Sequence, residues 1–233
     1  MTTHPTPQDV SPVVSMDLIT KTFPGVKALD EVKLDLYPGQ VTALVGENGA
    51  GKSTTVKILT GIYQPNGGTI RIDGKPIRLT TPNDAAKAGI TAIHQETVLF
   101  DELSVAENIY IGHAPRTRVG LIDTAQMHRN AAKLLTEIGA PFSSHTQLRD
   151  LGIANKHLVA IARALSVDAR VVIMDEPTAA LSHKEIEELY ELVETLKSQG
   201  KAILFISHKF DEIFRIADRY TVFRDGAFVG DGE

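Results

Sequence analysis

Residues 41–54 carry an apolar run, Val41 to Val45, straight into a glycine-rich loop and from there into a helical pattern. Gly46, Gly51, Lys52 and Ser53 meet the spacing G-x-x-x-x-G-K-[ST] of a phosphate-binding loop, between the strand and helix that such a loop requires. The physical reason for the spacing is backbone access. Glycines at 46, 49 and 51 let the main chain curl so that the N–H groups of Asn48, Gly49, Ala50, Gly51 and Thr54 converge on an anion. Lys52 adds a point charge for the outer phosphates, Ser53 offers a hydroxyl to a Mg²⁺ ion, and the helix that follows presents its positive end. A plain glycine-rich turn is the simpler reading, and the joint presence of strand, loop and helix weighs against it.

The bulk of the chain narrows the class further. With 233 residues, 42% apolar and 23% charged, it is an ordinary globular sequence with ample interior to bury. A net charge of −5 gives no reason to expect nucleic acid as a partner. The absence of cysteine removes disulfides and thiolate metal sites. No apolar run approaches the roughly 20 residues that span a bilayer, so any membrane role is expected to be peripheral. The Thr/Pro-rich residues 1–12 are expected to be poorly ordered.

Along the chain, Val13 to Ile19 and Val32 to Tyr37 read as strands, with Phe23 in the loop between them. A helix from the phosphate loop to about Leu59 stops at Gly61, and Gly68 to Ile72 makes a short strand turned by Asp73-Gly74. Ala85 to Gly89 suggests a helix and Ile90 to Ile93 a strand. The chain then becomes mostly helical up to Leu165, with Asp123-Thr-Ala-Gln126 opening a helix that Gly139 ends. Val171 to Met174 and Ala202 to Ile206 are continuous apolar strands of the buried parallel kind. Between them Ser182-His-Lys-Glu185 caps a helix that stops at Gly200, and Lys209 to Ile216 is helical. Arg219 to Phe228 reads as a hairpin around Asp225-Gly226. The expected fold is α/β, a P-loop NTPase with a parallel sheet core, an antiparallel β subdomain and a helical subdomain insert. The expected boundaries are 13–95 and 166–233 for the nucleotide-binding core with its β layer, and 96–165 for the helices.

The second chemical cluster is Val171-Val-Ile-Met-Asp175-Glu176-Pro177, an apolar strand that delivers two carboxylates at its carboxyl end, where ligands bind in open α/β sheets. Asp175 would hold Mg²⁺ through water, and Glu176 would orient or deprotonate an attacking water. Two adjacent carboxylates buried without a cation or donors would cost several kcal/mol, roughly, so a partner is demanded. Solvated acids at a strand end are the alternative.

With both clusters in hand, the chain resembles the ATP-binding domain of an ABC transporter from about residue 13 to the end. The resemblance implies further roles. Phe23 matches the aromatic that stacks on adenine, although by itself it reads as core. Gln95 matches the glutamine that reaches Mg²⁺ and water and couples the site to the membrane subunit. His208 matches the switch histidine that contacts the γ-phosphate. Catalysis would then rest on Lys52, Glu176 and His208, with ATP and Mg²⁺ as ligands. Leu151, Gly152, Ile153, Ala154 and Asn155 stand where the family's L-S-G-G-Q signature belongs, just ahead of a helix expected from Leu158 to Leu165, and depart from it. Gly152 replaces the serine that binds the γ-phosphate held by an opposite domain, and Ala154 replaces a glycine. Losing such a charge-assisted contact is worth roughly 1.5–3 kcal/mol, so a site completed by this loop should work poorly. Ser182 also stands where an aspartate is usual in the D-loop.

These departures resemble sugar importers that carry two ATP-binding halves on one chain. The expected identity is the amino-terminal half of such a protein, a motor for import of a monosaccharide or related polyol. Its implied partners are a second ABC domain, a membrane permease and, indirectly, a periplasmic solute-binding protein, with no nucleic acid. Its implied place is peripheral, on the cytoplasmic face of the inner membrane. The alternative is an ABC-type ATPase in a soluble nucleic-acid or ribosome machine. Chromosome-type versions need a long coiled coil for which the stretch from Lys52 to Asp175 is too short, and translation-factor versions normally bring a basic linker. A GTPase fits less well, because Asn155-Lys156-His157-Leu158 lacks the aspartate of N-K-x-D.

Overall fold

The structure is a computed structural model that describes residues 11–93, 99–167, 169–179 and 181–233. Gln95 and residues 1–10 of the amino-terminal stretch lie outside them. Among the described residues, ten strands run in sequence as β1 (Val14–Phe23), β2 (Val26–Leu36), β3 (Val41–Val45), β4 (Gly67–Ile72), β5 (Lys75–Ile77), β6 (Ile90–Ile93), β7 (Val171–Asp175), β8 (Ala202–Ile206), β9 (Arg219–Arg224) and β10 (Ala227–Gly232). Their spatial order is β5-β4-β1-β2-β10-β9-β3-β8-β7-β6. The first four of that order pair antiparallel, and a single bridge, Ala227 to Asp30, joins them to the rest. Strands β9, β3, β8, β7 and β6 are parallel throughout. The expected parallel core with an antiparallel layer is therefore the fold observed.

The helices are α1 (Lys52–Leu59), α2 (Pro82–Lys87), α3 (Val105–Tyr110), α4 (Thr124–Glu137), α5 (Ile153–Leu165), α6 (His183–Ser198) and α7 (Phe210–Ile216). Strand periodicity distributes the core between the two faces of the parallel sheet. Ile173, Leu204 and Ile206 point to the side occupied by Val56, Leu59 and the antiparallel layer. Val172, Met174, Ile203 and Phe205 point to the side covered by Leu189, Val193 and Leu196 of α6. A third cluster, which includes Val105, Ile109, Met127, Leu135 and Val159, knits α3, α4 and α5 together.

Two expectations need correction. Phe23 is not in a loop: β1 continues through it and β2 begins at Val26, so Phe23 pairs with Val26 across a tight Pro24-Gly25 turn. The regular alternation is lost because the register shifts between Met16 and Ile19 and again between Ile19 and Lys21. Leu18 sits at φ 51° there and turns outward, 46% exposed. A bulge of this kind breaks the period of two by which a strand is read. The second correction concerns α5, which begins at Ile153 rather than near Leu158. Its N-cap, Gly152, has no side chain to announce the start.

The turns behave as their residues demand. Asp73-Gly74 and Asp225-Gly226 both have positive φ at each position, the geometry of the two-residue hairpin turns expected there. Ser182 donates its N–H to Glu185 Oε2 at 2.6 Å, half of the capping arrangement expected for α6. Asp123 caps α4 by accepting from the N–H of Gln126 at 2.9 Å.

Candidate functional site

The register of three adjacent strands sets the site. Ile206 on β8 pairs with Leu44 on β3 and with Asp175 on β7. The carboxyl ends of β3, β8 and β7 therefore stand level. Gly46 follows Leu44 by two residues, His208 follows Ile206 by two, and Glu176 follows Asp175 directly. Two strand spacings, roughly 10 Å, separate the backbones of β3 and β7 at that level, with β8 between them. The sheet thus brings the phosphate loop, the acid pair and the histidine to one edge.

The loop itself is locked by contacts that only glycine permits. A Cβ on Gly46 would meet the carbonyl oxygen of Phe223 at 2.5 Å, and one on Gly51 would meet Leu29 Cδ2 at 2.4 Å. Gly51 also sits at φ 98° and Gly49 at φ 86°, conformations that strain any other residue. Gly51 is the N-cap of α1, and its carbonyl accepts from the N–H and the hydroxyl of Thr55 at 2.9 and 3.1 Å. Ala50 is buried in the core, which anchors the loop from below, while Asn48 and Ser53 face outward.

Lys52 is 9% exposed, and its Nζ donates to the carbonyls of Gly46 and Glu47 at 2.6 and 3.0 Å. These bonds fold the ammonium back over its own loop. It is thereby partly desolvated and pre-placed, so an arriving anion exchanges loop carbonyls for phosphate oxygens without extracting the lysine from water. A cavity of about 270 Å³ opens beside it. Asn48, Gly49, Gly51, Lys52, Ser53 and Thr54 line one side and Asp175 and Glu176 the other, with Ala28 from β2 at the rim. Ala28 carried no signal in the sequence; only the crossing of β2 over the loop puts it there.

Glu176 sits at φ 50°, a left-handed conformation uncommon for residues other than glycine, asparagine and aspartate, and its N–H donates to Ile206 O at 2.9 Å. Its Oε2 lies 2.9 Å from His208 Nδ1. Glu176 is largely enclosed, its side chain 20% exposed, whereas His208 is 64% exposed. A carboxylate can only accept, so a hydrogen bond in this pair is donated from Nδ1.

The remaining residues are placed elsewhere. Phe23 ends β1 against Tyr63, ring centroids 5.2 Å apart edge to face, with Lys21 Nζ 5.0 Å above its ring. It is not among the described residues lining the cavity. Residues 151–155 are likewise not among the described residues lining it. Gly152 caps α5, Ile153 is 69% exposed, and Ala154 and Asn155 line a separate small cavity of about 40 Å³ against Met174, Pro177 and α6. Gln95 is outside the described residues.

Comparison with known proteins bears on what this edge is. A family described as ABC transporter matches residues 29–179. The "Ribose import ATP-binding protein RbsA" of Roseobacter denitrificans is 84% identical over 232 residues, which is 100% of this chain and 45% of that protein. The protein of the same description from Jannaschia sp. is 73% identical over 228 residues, 98% of this chain and 44% of that one. The chain thus spans somewhat less than half the length of the relatives it matches. Among solved structures, a nucleotide-free ATP-binding cassette from an ABC transporter superposes with a TM-score of 0.83 at 26% identity, covering 95% of this chain and 91% of that one. The ADP conformation of another ATP-binding cassette of an ABC transporter gives 0.82 at 26% identity, with coverage of 95% and 91%.

Proposed function

The chain belongs to the ABC transporter family, and we propose that it is the ATP-binding and ATP-hydrolysing motor domain of a ribose importer. The observation that carries this reading is the cavity bounded by a glycine-locked phosphate loop on one side and two carboxylates on the other. A triphosphate fits such a wall. The amides of residues 48–54 would bind its oxygens, Lys52 would leave the carbonyls of Gly46 and Glu47 for the outer phosphates, and Phe23 would stack on the base.

Mg²⁺ suits the donors present. Ser53 and Asp175 offer hard oxygens to the same cavity, and this ion is usually held by one or two carboxylates plus the phosphates themselves. When bound it would neutralise charge on the β- and γ-phosphates, with Ser53, Asp175 and Gln95 as its protein partners. Glu176 would hold and deprotonate the attacking water, and its enclosed carboxylate has one oxygen engaged by His208 and one left for that task. His208 would shift from Glu176 to the γ-phosphate, which requires the hydrogen on the nitrogen that faces the nucleotide.

Residues 151–155 are not among the described residues lining the phosphate-loop cavity, which is in keeping with a role across an interface with a second ABC domain. We assign the core to 13–95 and 166–233 and the helical subdomain to 96–165, the latter passing closure to a permease at the cytoplasmic face of the membrane. No helix among the described residues is long and apolar enough to cross a membrane. The ribose assignment rests on the relatives' descriptions. Removing this coding region from its native cell and following labelled ribose tests it. Lost ribose uptake supports the assignment; intact ribose uptake contradicts it, and recovery of the tagged full-length protein with ribosomes instead of a permease would point to the soluble machine.

A further inference from the structure

Glu212 lies in the first turn of α7, 7% exposed, and no part of the chemistry above uses it. An acid at this position of a helix ordinarily reaches back to the backbone N–H of its own N-cap residue. Glu212 does not. Its N-cap is Lys209, whose N–H goes to Ser207 Oγ at 3.1 Å. The carboxylate instead divides between two other elements. Oε1 accepts from the hydroxyl of Thr178 at 2.7 Å, and Oε2 accepts from the hydroxyl of Ser207 at 2.8 Å. Lys209 Nζ closes the group, 3.0 Å from Oε1 and 3.4 Å from Thr178 Oγ1.

Both hydroxyls are buried, Thr178 at 2% and Ser207 at 0% exposure. Thr178 is two residues beyond Glu176, and Ser207 immediately precedes His208. We infer that Glu212 is a positioning residue, whose carboxylate clamps the Glu176 segment to the His208 segment and so sets the approach of the water-activating acid to the histidine. The inference rests on the roles proposed above for Glu176 and His208.

Three features of the arrangement support a clamp over a general contribution to the core. The carboxylate spans segments 29 residues apart in sequence, Thr178 and Ser207, and touches neither functional side chain. Burial pushes its acidity the other way, yet the bonds from Thr178, Ser207 and Lys209 hold it below the ordinary carboxylate range, so it stays an acceptor toward both hydroxyls. Helix α7 is also tied down from behind: Arg215 makes a paired ion contact with Glu187 on α6 and lies over the Tyr190 ring. A clamp needs such a fixed end. Glu176 holds its φ of 50° with its N–H bonded to Ile206 O at 2.9 Å, and only Pro177 separates it from Thr178, so a shift of the Thr178 segment reaches it over a short span of backbone.

The test measures steady-state MgATP turnover, nucleotide affinity and melting temperature of the full-length protein for wild type, Glu212→Ala, Thr178→Val, Ser207→Ala and the pairwise combinations. Glu212→Ala should lower kcat about tenfold or more per folded molecule while ATP affinity changes less than about threefold, a split that general loosening of the core does not produce. Thr178→Val and Ser207→Ala should each lower kcat in the wild-type background and change little further in Glu212→Ala, because the clamp is already open. Unchanged kcat per folded molecule in Glu212→Ala, or hydroxyl effects that simply add to it, would overturn the inference. Glu176→Gln serves as the reference: if it is inactive while Glu212→Ala is not, the clamp fails and the site assignment stands, and if Glu176→Gln is as active as wild type the site assignment itself fails.

Discussion

The phosphate-loop corner and the signature corner are built on opposite terms. At the first, Gly46 and Gly51 have backbone or core atoms closer than 3 Å to where a side chain would begin. At the second, Gly152 has no described atom within 4 Å of that point and an ordinary φ of −68°. Both are glycines before a helix, and only the first is required by this chain's own packing. Where the fold enforces a residue, the family pattern is kept. At Gly152 nothing in this chain's own described packing demands a glycine.

That contrast can be broken or sharpened by substitution, and the largest effect should come from the enforced corner. Glu176→Gln keeps the shape of the acid and removes its basicity, so turnover should fall by about 10²–10⁴ with nucleotide binding retained. Steady-state phosphate release against equilibrium nucleotide binding reads this directly, and comparable turnover in the two proteins would remove Glu176 from the chemistry.

Next in size is the comparison of glycines. Gly51→Ala adds a Cβ into Leu29 and Ala28 at φ 98° and should cost about 2–4 kcal/mol from overpacking and left-handed strain together. Gly49→Ala has open space and bears only the strain of φ 86°, about 1–2 kcal/mol. Gly152→Ser should instead gain a few tenths of a kcal/mol, roughly, because serine is the better N-cap for α5. Urea unfolding of the three variants checks the order, and a destabilised Gly152→Ser would show that the signature corner is sterically enforced after all.

The smallest effect concerns acid. Burial lowers the basicity of His113, His128 and His157, all of them in the helical stretch between α3 and α5. For His128, which stacks on His145 at 3.8 Å, the second ring's charge adds to the lowering and Glu107 opposes it. A histidine whose folded value is depressed contributes stability that is present above the unfolded value of 6.5 and is lost as pH falls toward the folded one. Hydrogen exchange at pH 5.5 and 7.5 should therefore show the helical stretch loosening first while the parallel sheet stays protected. Uniform loosening would erase this part of the contrast.

Much of the enforced corner was legible in the sequence, because the demands on Gly46, Gly51, Lys52 and Asp175 are local: a loop between a strand and a helix, and acids at a strand end. The turns at Asp73-Gly74 and Asp225-Gly226 were legible for the same reason. Phe23 was misplaced because a bulge at Leu18 breaks the alternation on which strand reading depends. The start of α5 was missed because Gly152 offers no capping oxygen. Glu212 was unreadable in principle: its partners Thr178 and Ser207 belong to segments that only the parallel pairing of β7 with β8 brings together.

Isothermal titration of MgATP into the purified protein, beside Lys52→Ala, tests the central claim most directly, that inward-facing amides and one pre-placed ammonium group grip a triphosphate. The account predicts saturable uptake of one nucleotide per phosphate loop of this kind and its loss when the ammonium is removed. No uptake by the wild-type protein, or equal uptake by Lys52→Ala, would contradict it.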